Sequence, residues 1–478
     1  MNNILWTKDG VCTATGGACE FDWSATGISI DSRTIQSGDL FVAIKGPRMD
    51  GHDFIKQAFS NGAVAALVDR RLVGIDKQFP VITVNNTNEA LDKLGIAARK
   101  RSSANIIAVT GSVGKTGTKD AIYHSLIPQG KTCASAHSYN NHWGVPLSLA
   151  RLAPDSDYGI FEVGMNHAGE ITPLSQMIQP NVSIITTVEP VHIEYFESVE
   201  AIADAKAEIF AGMVGGTAIL NRDNAYYYRL KLMAERQGVD QILSFGEHEE
   251  SDARLISRLA DCSGNNVEAL ICGRRFGYRL GIPGQHLVQN SLAVLLAIST
   301  IGADVAEAAN SLSNIIPIDG RGLHHKIDIE DGFFTIIDES YNANPASMRA
   351  AIETLSTMKP GPCAKRIAVL GDMRELGEKS KDYHIELANT LVEHAIDEIY
   401  ACGEHMSIMF NALPRELRGG FSNSTTDLAN NVKEKIRPGD IVTVKGSLAI
   451  GMKTIVNQLM ALKISDGGKT SQVINGTV

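Results

Sequence analysis

Short apolar runs recur along the chain, most followed by a polar turn and then a stretch of helical spacing. Ile106–Val109, Gly159–Val163, Val182–Thr187, Thr217–Leu220 and Gln241–Phe245 read as buried strands. Continuous apolar strands alternating with helical segments predict a mostly parallel sheet covered on both faces. A second series, Phe333–Ile337, Arg366–Leu370, Glu398–Ala401 and Asp440–Val444, begins after Pro317 and predicts another doubly wound unit. Upstream, Gly27–Asp31, Asp39–Ile44 and Ala63–Val68 read as strands, and His52–Asn61 and Glu89–Arg101 as helices. Ser251–Leu280 breaks the rhythm and predicts a small β-meander. The expected architecture is α/β in three domains: a small α/β unit over 1–102, a mostly parallel sheet over 103–316 and a Rossmann-like unit over 317–478. The polar tail from Ser465 to Val478 is expected to fray.

Composition narrows the picture without changing it. A chain of 478 residues suits about three domains, and 44% hydrophobic residues supply their cores. The net charge of −10, without basic stripes interleaved with aromatics, points away from nucleic acid. Seven scattered cysteines (Cys12, Cys19, Cys133, Cys262, Cys272, Cys363 and Cys402) form no C-x-x-C, which fits a reducing compartment with neither disulfide frame nor zinc site. The first residues lack a basic stretch followed by an apolar core, and Leu292–Ile298 is too short to span a bilayer. A cytoplasmic protein without membrane insertion is the expectation.

Chemistry enters with the turn after the strand Ile106–Val109. Thr110-Gly111-Ser112-Val113-Gly114-Lys115-Thr116 lies between that strand and a helix containing Lys119–Leu126. A glycine-containing turn that opens a helix aims backbone N–H groups and the helix dipole at an anion. In such a loop a lysine reaches the terminal phosphates of a nucleotide and a hydroxyl ligates their Mg²⁺. Gly111, Ser112, Val113, Gly114, Lys115 and Thr116 are therefore the candidate phosphate cradle. Val109 stands where the commoner, longer form of this loop has its first glycine.

Other unusual polar residues also follow strands, where open α/β sheets bind ligands. Glu162, inside Ile160–Met165, is costly to bury unless paired or metal-bound, and beside a phosphate cradle it points to Mg²⁺. His192 follows Glu189-Pro190-Val191 and taken alone reads as a capping or satisfied core histidine. Lys206, among Ala203, Ala205 and Ala207, taken alone reads as a snorkelling surface lysine. Asn290 is placed either to meet a purine edge or to pair within its helix. Arg321, between Gly320 and Gly322 at the presumed hinge, is placed either to meet phosphate on closure or to form a surface ion pair. In the third unit the strand ends deliver Asp338–Asn344, Gly371-Asp372 and Lys445–Ser447. Two such edges facing each other would make an interdomain active site.

Taken together these motifs resemble the Mur ligase family, over nearly the whole chain from Asp31 to about Leu462. The short phosphate loop, Phe161–Glu170, Glu189–His192 and Ala205–Ile209 carry the likeness. Ser340–Pro345, Leu370–Gly377, Asp31-Ser32-Arg33, Lys45-Gly46 and Asp50-Gly51-His52 resemble the branch that handles D-alanyl-D-alanine. The resemblance implies an ATP-dependent ligase joining D-alanyl-D-alanine to a UDP-N-acetylmuramoyl-tripeptide through an acyl phosphate, acting as a monomer. It implies a catalytic group of Lys115, Glu162, His192 and Lys206. Two Mg²⁺ ions are implied, one held by Thr116 and Glu162, the other by Glu162, His192 and a carbamoylated Lys206. Asn290, Arg321, Asp338 and Tyr341 would frame the nucleotide. Ser32, Arg33 and Lys45 would bind the UDP-sugar end, with Asn140 and Asn141 meeting substrate near the central domain. Asn342, Asn344 and Lys445 complete the implied substrate contacts in the third unit.

The sequence departs from the family's pattern at three places. Leu287 stands where asparagine is frequent, Glu339 stands beside Asp338 where aspartate is usual, and Leu448 follows Lys445-Gly446-Ser447 in place of arginine. The rival readings are another ligase of this architecture, such as one adding a single amino acid or a folate polyglutamate ligase, and a nucleotide-dependent switch without a covalent product. The Asp-Asn-Pro-Arg string usual in the diaminopimelate-adding branch is absent. A switch would not need Glu162, His192 and Lys206 together.

Overall fold

A computed structural model describes residues 4–71, 79–261 and 264–463. Cys262 and the tail from Ser465 onward lie outside the described residues. Among the described residues the chain builds three principal sheets, plus a two-stranded pairing of Trp6–Thr7 with Ser24–Ala25. The architecture is α/β throughout, as the spacing of apolar runs predicts.

The first sheet is parallel, ordered Gly27–Ser29, Asp39–Val42, Ala65–Val68, Val81–Thr83. The expected helix from His52 divides into a 3-10 turn, Gly51–Phe54, and an α-helix, Ile55–Ser60. The Asp50 carboxylate accepts from the His52 N–H and starts this turn. The helix Thr87–Arg101 covers one face and packs against Gly144–Ala150 of the next unit, whose Leu147 and Ala150 join the first core.

At this junction Asp92 is half-buried and makes no side-chain hydrogen bond among the described residues. Its carboxyl is pushed up to about 6, first by burial, with Glu89 adding to the rise and His142 opposing it. The folded chain thus keeps a proton that the unfolded chain releases near pH 3.9, so stability falls as pH rises between those values. Asp92→Asn should stabilise the protein by about 1 kcal/mol at pH 7.5, with the gain shrinking toward pH 4.5. Thermal melts at the two pH values check this, and an equal gain at both would contradict it.

The second sheet runs Thr132–Ala134, Tyr158–Glu162, Asn105–Thr110, Val182–Ile185, Thr217–Asn221, Gln241–Gly246, Ala253–Asp261, Gly264–Ile271, Arg274–Leu280. It is parallel up to Ala253–Asp261, and the last three strands form an antiparallel meander. Its two faces carry separate apolar cores, one built on the helices Lys115–Leu126 and Gln285–Thr300, the other on Ile171–Ile178 and Val199–Ala207. Asn105–Thr110 has the next two long strands of the chain on opposite sides, Tyr158–Glu162 and Val182–Ile185. This is the switch point where a doubly wound sheet opens a crevice, and the phosphate loop begins there.

The third sheet is ordered Leu323–Ile329, Gly332–Glu339, Ile441–Lys445, Arg366–Gly371, Glu398–Cys402, Arg418–Ser422. Only its first pair is antiparallel. Cores again lie on both faces. Glu339 registers against Lys445, and Leu370 against Lys445 from the other side, so three strand ends meet at one edge.

Candidate functional site

The phosphate loop owes its shape to two glycines and to bracing from the neighbouring strand end. Gly111 has φ +147°, and a Cβ there would lie 1.9 Å from Thr186 Oγ1. Gly114 has φ +88°, and its Cβ would lie 2.4 Å from Asn290 Nδ2. Only glycine fits either position. Thr186 donates its hydroxyl to Val113 O at 2.6 Å, Ser112 N–H donates to Thr187 O at 2.8 Å, and Glu189 N–H donates to Ser112 Oγ at 2.8 Å. The Ser112 hydroxyl is thus spent on holding the loop. Lys115 and Thr116 open the helix Lys115–Leu126. Lys115 Nζ donates to Gly111 O at 2.7 Å, and burial pulls its pKa down while Glu162 pulls it back up.

Glu162 ends its strand paired beside Val109, which sets its carboxylate next to the loop. It is only 1% exposed. Oε1 accepts from Asn140 Nδ2 at 2.7 Å, whereas Oε2 is buried without a hydrogen-bond partner among the described residues. A bare buried carboxylate oxygen is expensive. With the Thr116 hydroxyl and the Ser138 hydroxyl 3.4 Å from each other nearby in the same cavity, the donors are hard oxygens of the kind Mg²⁺ takes. The residues fit such an ion.

The cavity holds about 410 Å³ between the second and third units. Ser112–Thr116 of the phosphate loop, Asn140, Glu162, His192, Asn290, Arg321, Tyr341, Asn342, Asn344 and Lys445 all border it. Arg321 donates to Ser138 Oγ at 3.0 Å and stacks its guanidinium 4.1 Å above the Tyr341 ring. His192 takes a left-handed backbone, φ 54°, and its Nδ1 donates to the Glu375 carboxylate of the third unit. Burial lowers the His192 pKa and Glu375 partly offsets this. Lys445 donates to Glu339 Oε2 at 3.1 Å and to Asn342 O at 3.0 Å.

Lys206 is not a surface residue. It is 2% exposed in the helix Val199–Ala207, is not among the residues lining the cavity, and makes no ion pair among the described residues. Burial first, and the charge of Lys115 second, hold its pKa well below that of an ordinary lysine. Its charge is felt at His192 in turn.

Seven of the sequence candidates lie off the cavity lining: Gly111, Lys206, Asp338, Asn141, Ser32, Arg33 and Lys45. Asp338 is fully buried and occupied by Gly320 N–H, Ser340 N–H and Oγ, and Lys453 Nζ, while Glu339 borders the cavity in its place. Asp319, His325 and Asp338 come together there, but Lys453 already pairs with both aspartates. Asn141 caps the turn into Gly144–Ala150 by accepting from Trp143 and Gly144 N–H. Ser32 donates to Gln57, Arg33 pairs with Asp31, and Lys45 is exposed, all on the first unit. Asn344 borders the cavity yet spends its side chain on the capping box of Pro345–Thr357.

Two anchors escaped the sequence reading. Lys119 is buried and donates to Ser135 O and His137 O, tying the loop that carries Ser138 and Asn140 to the phosphate helix. Glu208 accepts from Gly169, Ile171 and Thr172 N–H, joining the segment after Glu162 to the helix of Lys206. A charged residue two to four positions past a candidate is the only signal either offered.

Comparison with known proteins converges on one family. Residues 24–104 match the model of the Mur ligase family catalytic domain, 109–298 the Mur ligase middle domain, and 325–448 the Mur ligase glutamate ligase domain. The UDP-N-acetylmuramoyl-tripeptide--D-alanyl-D-alanine ligase of Rickettsia prowazekii is 32% identical over 95% of this chain and 99% of its own. The Escherichia coli protein of the same name is 31% identical over 92% of this chain and 94% of its own. A crystal structure of MurF from Acinetobacter baumannii superposes with a TM-score of 0.82 at 29% identity, covering 95% and 99% of the two chains. MurF from Thermotoga maritima, solved in complex with ADP, superposes at 0.75 with 26% identity, covering 91% and 97%. With three domain models matched in order and relatives aligned from end to end, the chain belongs to the Mur ligase family.

Proposed function

We propose that this chain is an ATP-dependent amide ligase that adds D-alanyl-D-alanine to a UDP-N-acetylmuramoyl-tripeptide in peptidoglycan precursor synthesis. The observation that carries the reading is the unpartnered Glu162 oxygen beside Lys115, in a cavity whose other wall comes from the third unit. Such a site suits phosphoryl transfer between two substrates that must meet away from water. The names of the relatives supply the substrate pair.

The tripeptide's terminal carboxylate attacks the γ-phosphorus of ATP, giving an acyl phosphate and ADP. The dipeptide amine then attacks the acyl carbon, the amide C–N bond forms, the C–O bond to phosphate breaks, and the amine proton is lost. Lys115 turns from Gly111 O to the phosphates and offsets their charge. Arg321 meets the same charge from the linker and keeps the wall closed against water. Asn290, packed on Gly114, would meet the base and Tyr341 would lie against it; with Asp338 occupied by Lys453, Glu339 would contact the ribose. Mg²⁺ bound by Thr116 and Glu162 would supply charge stabilisation at the phosphates. A second ion would be held by Glu162, His192 and a carbamate on Lys206.

Residues 1–102 would hold the UDP-sugar through Ser32, Arg33 and Lys45, with Asn140 and Asn141 guiding the peptide. Residues 103–316 would hold ATP, and 317–478 the dipeptide near Asn342, Asn344 and Lys445. No helix among the described residues is long and apolar enough to cross a membrane, and a cytoplasmic monomer is the form proposed. The test supplies ATP, Mg²⁺ and the UDP-tripeptide with D-alanyl-D-alanine, D-alanine or L-amino acids, and weighs the product. Dipeptide addition is expected. Equal use of a single amino acid would overturn the branch, and phosphate release without a joined product would favour a nucleotide switch.

A further inference from the structure

The phosphate cavity takes one of its contacts from a residue the reading above does not use. Glu375 follows the strand Arg366–Gly371 in the third unit, and its carboxylate accepts from His192 Nδ1 in the second. Both partners hold left-handed backbones without being glycine, φ 54° at His192 and 61° at Glu375. Such conformations persist only where the surroundings fix them, and they gather at functional sites. The surroundings here do fix them. Glu194 N–H donates to Glu375 O at 3.3 Å, the Cα of Glu194 lies 3.4 Å from where a Cβ on Gly377 would stand, and Ile193 packs against the apolar core of the third unit.

A carboxylate only accepts, so the imidazole proton must sit on Nδ1 and the Nε2 lone pair is left free. Partners of this kind fix both tautomer and ring orientation of a histidine that serves as a ligand. We propose that Glu375 is a positioning residue for ligation, orienting His192 from across the domain boundary so that the phosphate site is complete only when the third unit is seated. This rests on the assignment of His192 to the reaction centre. The two left-handed backbones and the ring contact carry it, since Glu375 is the one hydrogen-bond partner of His192 Nδ1 among the described residues.

The test uses the full-length protein with ¹⁵N-labelled imidazoles, free of metal, and assigns His192 by the signals lost in His192→Gln. Wild type should show the Nδ1–H tautomer. Glu375→Ala should shift His192 toward the Nε2–H form and lower kcat by roughly 10- to 100-fold, with KM for ATP held within about threefold. Glu375→Gln, whose amide oxygen still accepts, should keep the tautomer and stay within about threefold of wild-type turnover. An unchanged tautomer and kcat in Glu375→Ala overturn the orienting role, as does a glutamine variant as impaired as the alanine one. Full ligation by His192→Gln would instead remove His192 from the centre, a separate failure of the underlying reading.

Discussion

Lys115→Ala should lower ligation turnover by about 10²-fold or more while leaving the protein folded, as expected when a cation facing transition-state charge is removed. The fold should survive because the side chain contributes little to it. Among the described residues its side chain's only hydrogen bond is to Gly111 O, four residues away, and burial already disfavours its charge. The loop is braced instead by Thr186, Thr187 and Ser112, none of which the substitution touches. Removing the ammonium also leaves Glu162 with less opposing charge, so any cation held there should bind no more weakly. Loss of turnover with retained ATP binding and an unshifted thermal melt is the expected pattern. Near-normal ATP-dependent ligation by this variant would sink the assignment of Lys115, and a collapsed melt would show that the residue is structural.

What could be read from the sequence, and what could not, follows the range of the interactions. Ile106–Val109 and Thr217–Leu220 declare themselves because a strand buried on both faces is apolar at every position, and the observed strands differ by a residue or so at either end. Arg418–Ser422 and Leu323–Ile329 escaped because edge strands need only one apolar face and here are rich in glycine, histidine and charge. The phosphate loop is legible because its chemistry is local: strand, turn and helix are consecutive. Lys206 misled as a lone residue, since its alanine neighbours are equally at home on a surface, and its burial depends on how a helix docks on a distant sheet. Asp338 and Glu339 show the same limit. Successive strand residues point to opposite faces, and which face meets the cavity is decided partly by Lys453, 115 residues away. The pairing of His192 with Glu375 spans 183 residues and two domains, and no local pattern announces it.

Lys206→Ala should be nearly inactive, and the reason lies in which form of the amine the fold tolerates. Burial and the nearby charge of Lys115 both disfavour the ammonium, so the folded-state pKa lies well below the ordinary value. The neutral fraction therefore grows as pH rises through that lowered value, and the neutral amine is the form that attacks CO₂. In that step the nitrogen bonds to carbon, a proton leaves, and the product is a carbamate anion. Carbamoylation would turn a buried amine that has no ion pair among the described residues into an anion able to face Lys115 and a metal, and would so remove the electrostatic penalty. Activity should accordingly fall when CO₂ and bicarbonate are stripped from the buffer, more steeply at low pH, and return when bicarbonate is restored. A short carboxylic acid added to Lys206→Ala should recover part of the turnover by placing an anion where the carbamate stood. Carbon-13 NMR of protein equilibrated with ¹³CO₂ should show a carbamate signal that Lys206→Ala lacks. A free ammonium at Lys206 in active, Mg²⁺-loaded enzyme would end the proposal, and indifference to bicarbonate with no rescue by carboxylates would leave Lys206 as a buried structural lysine.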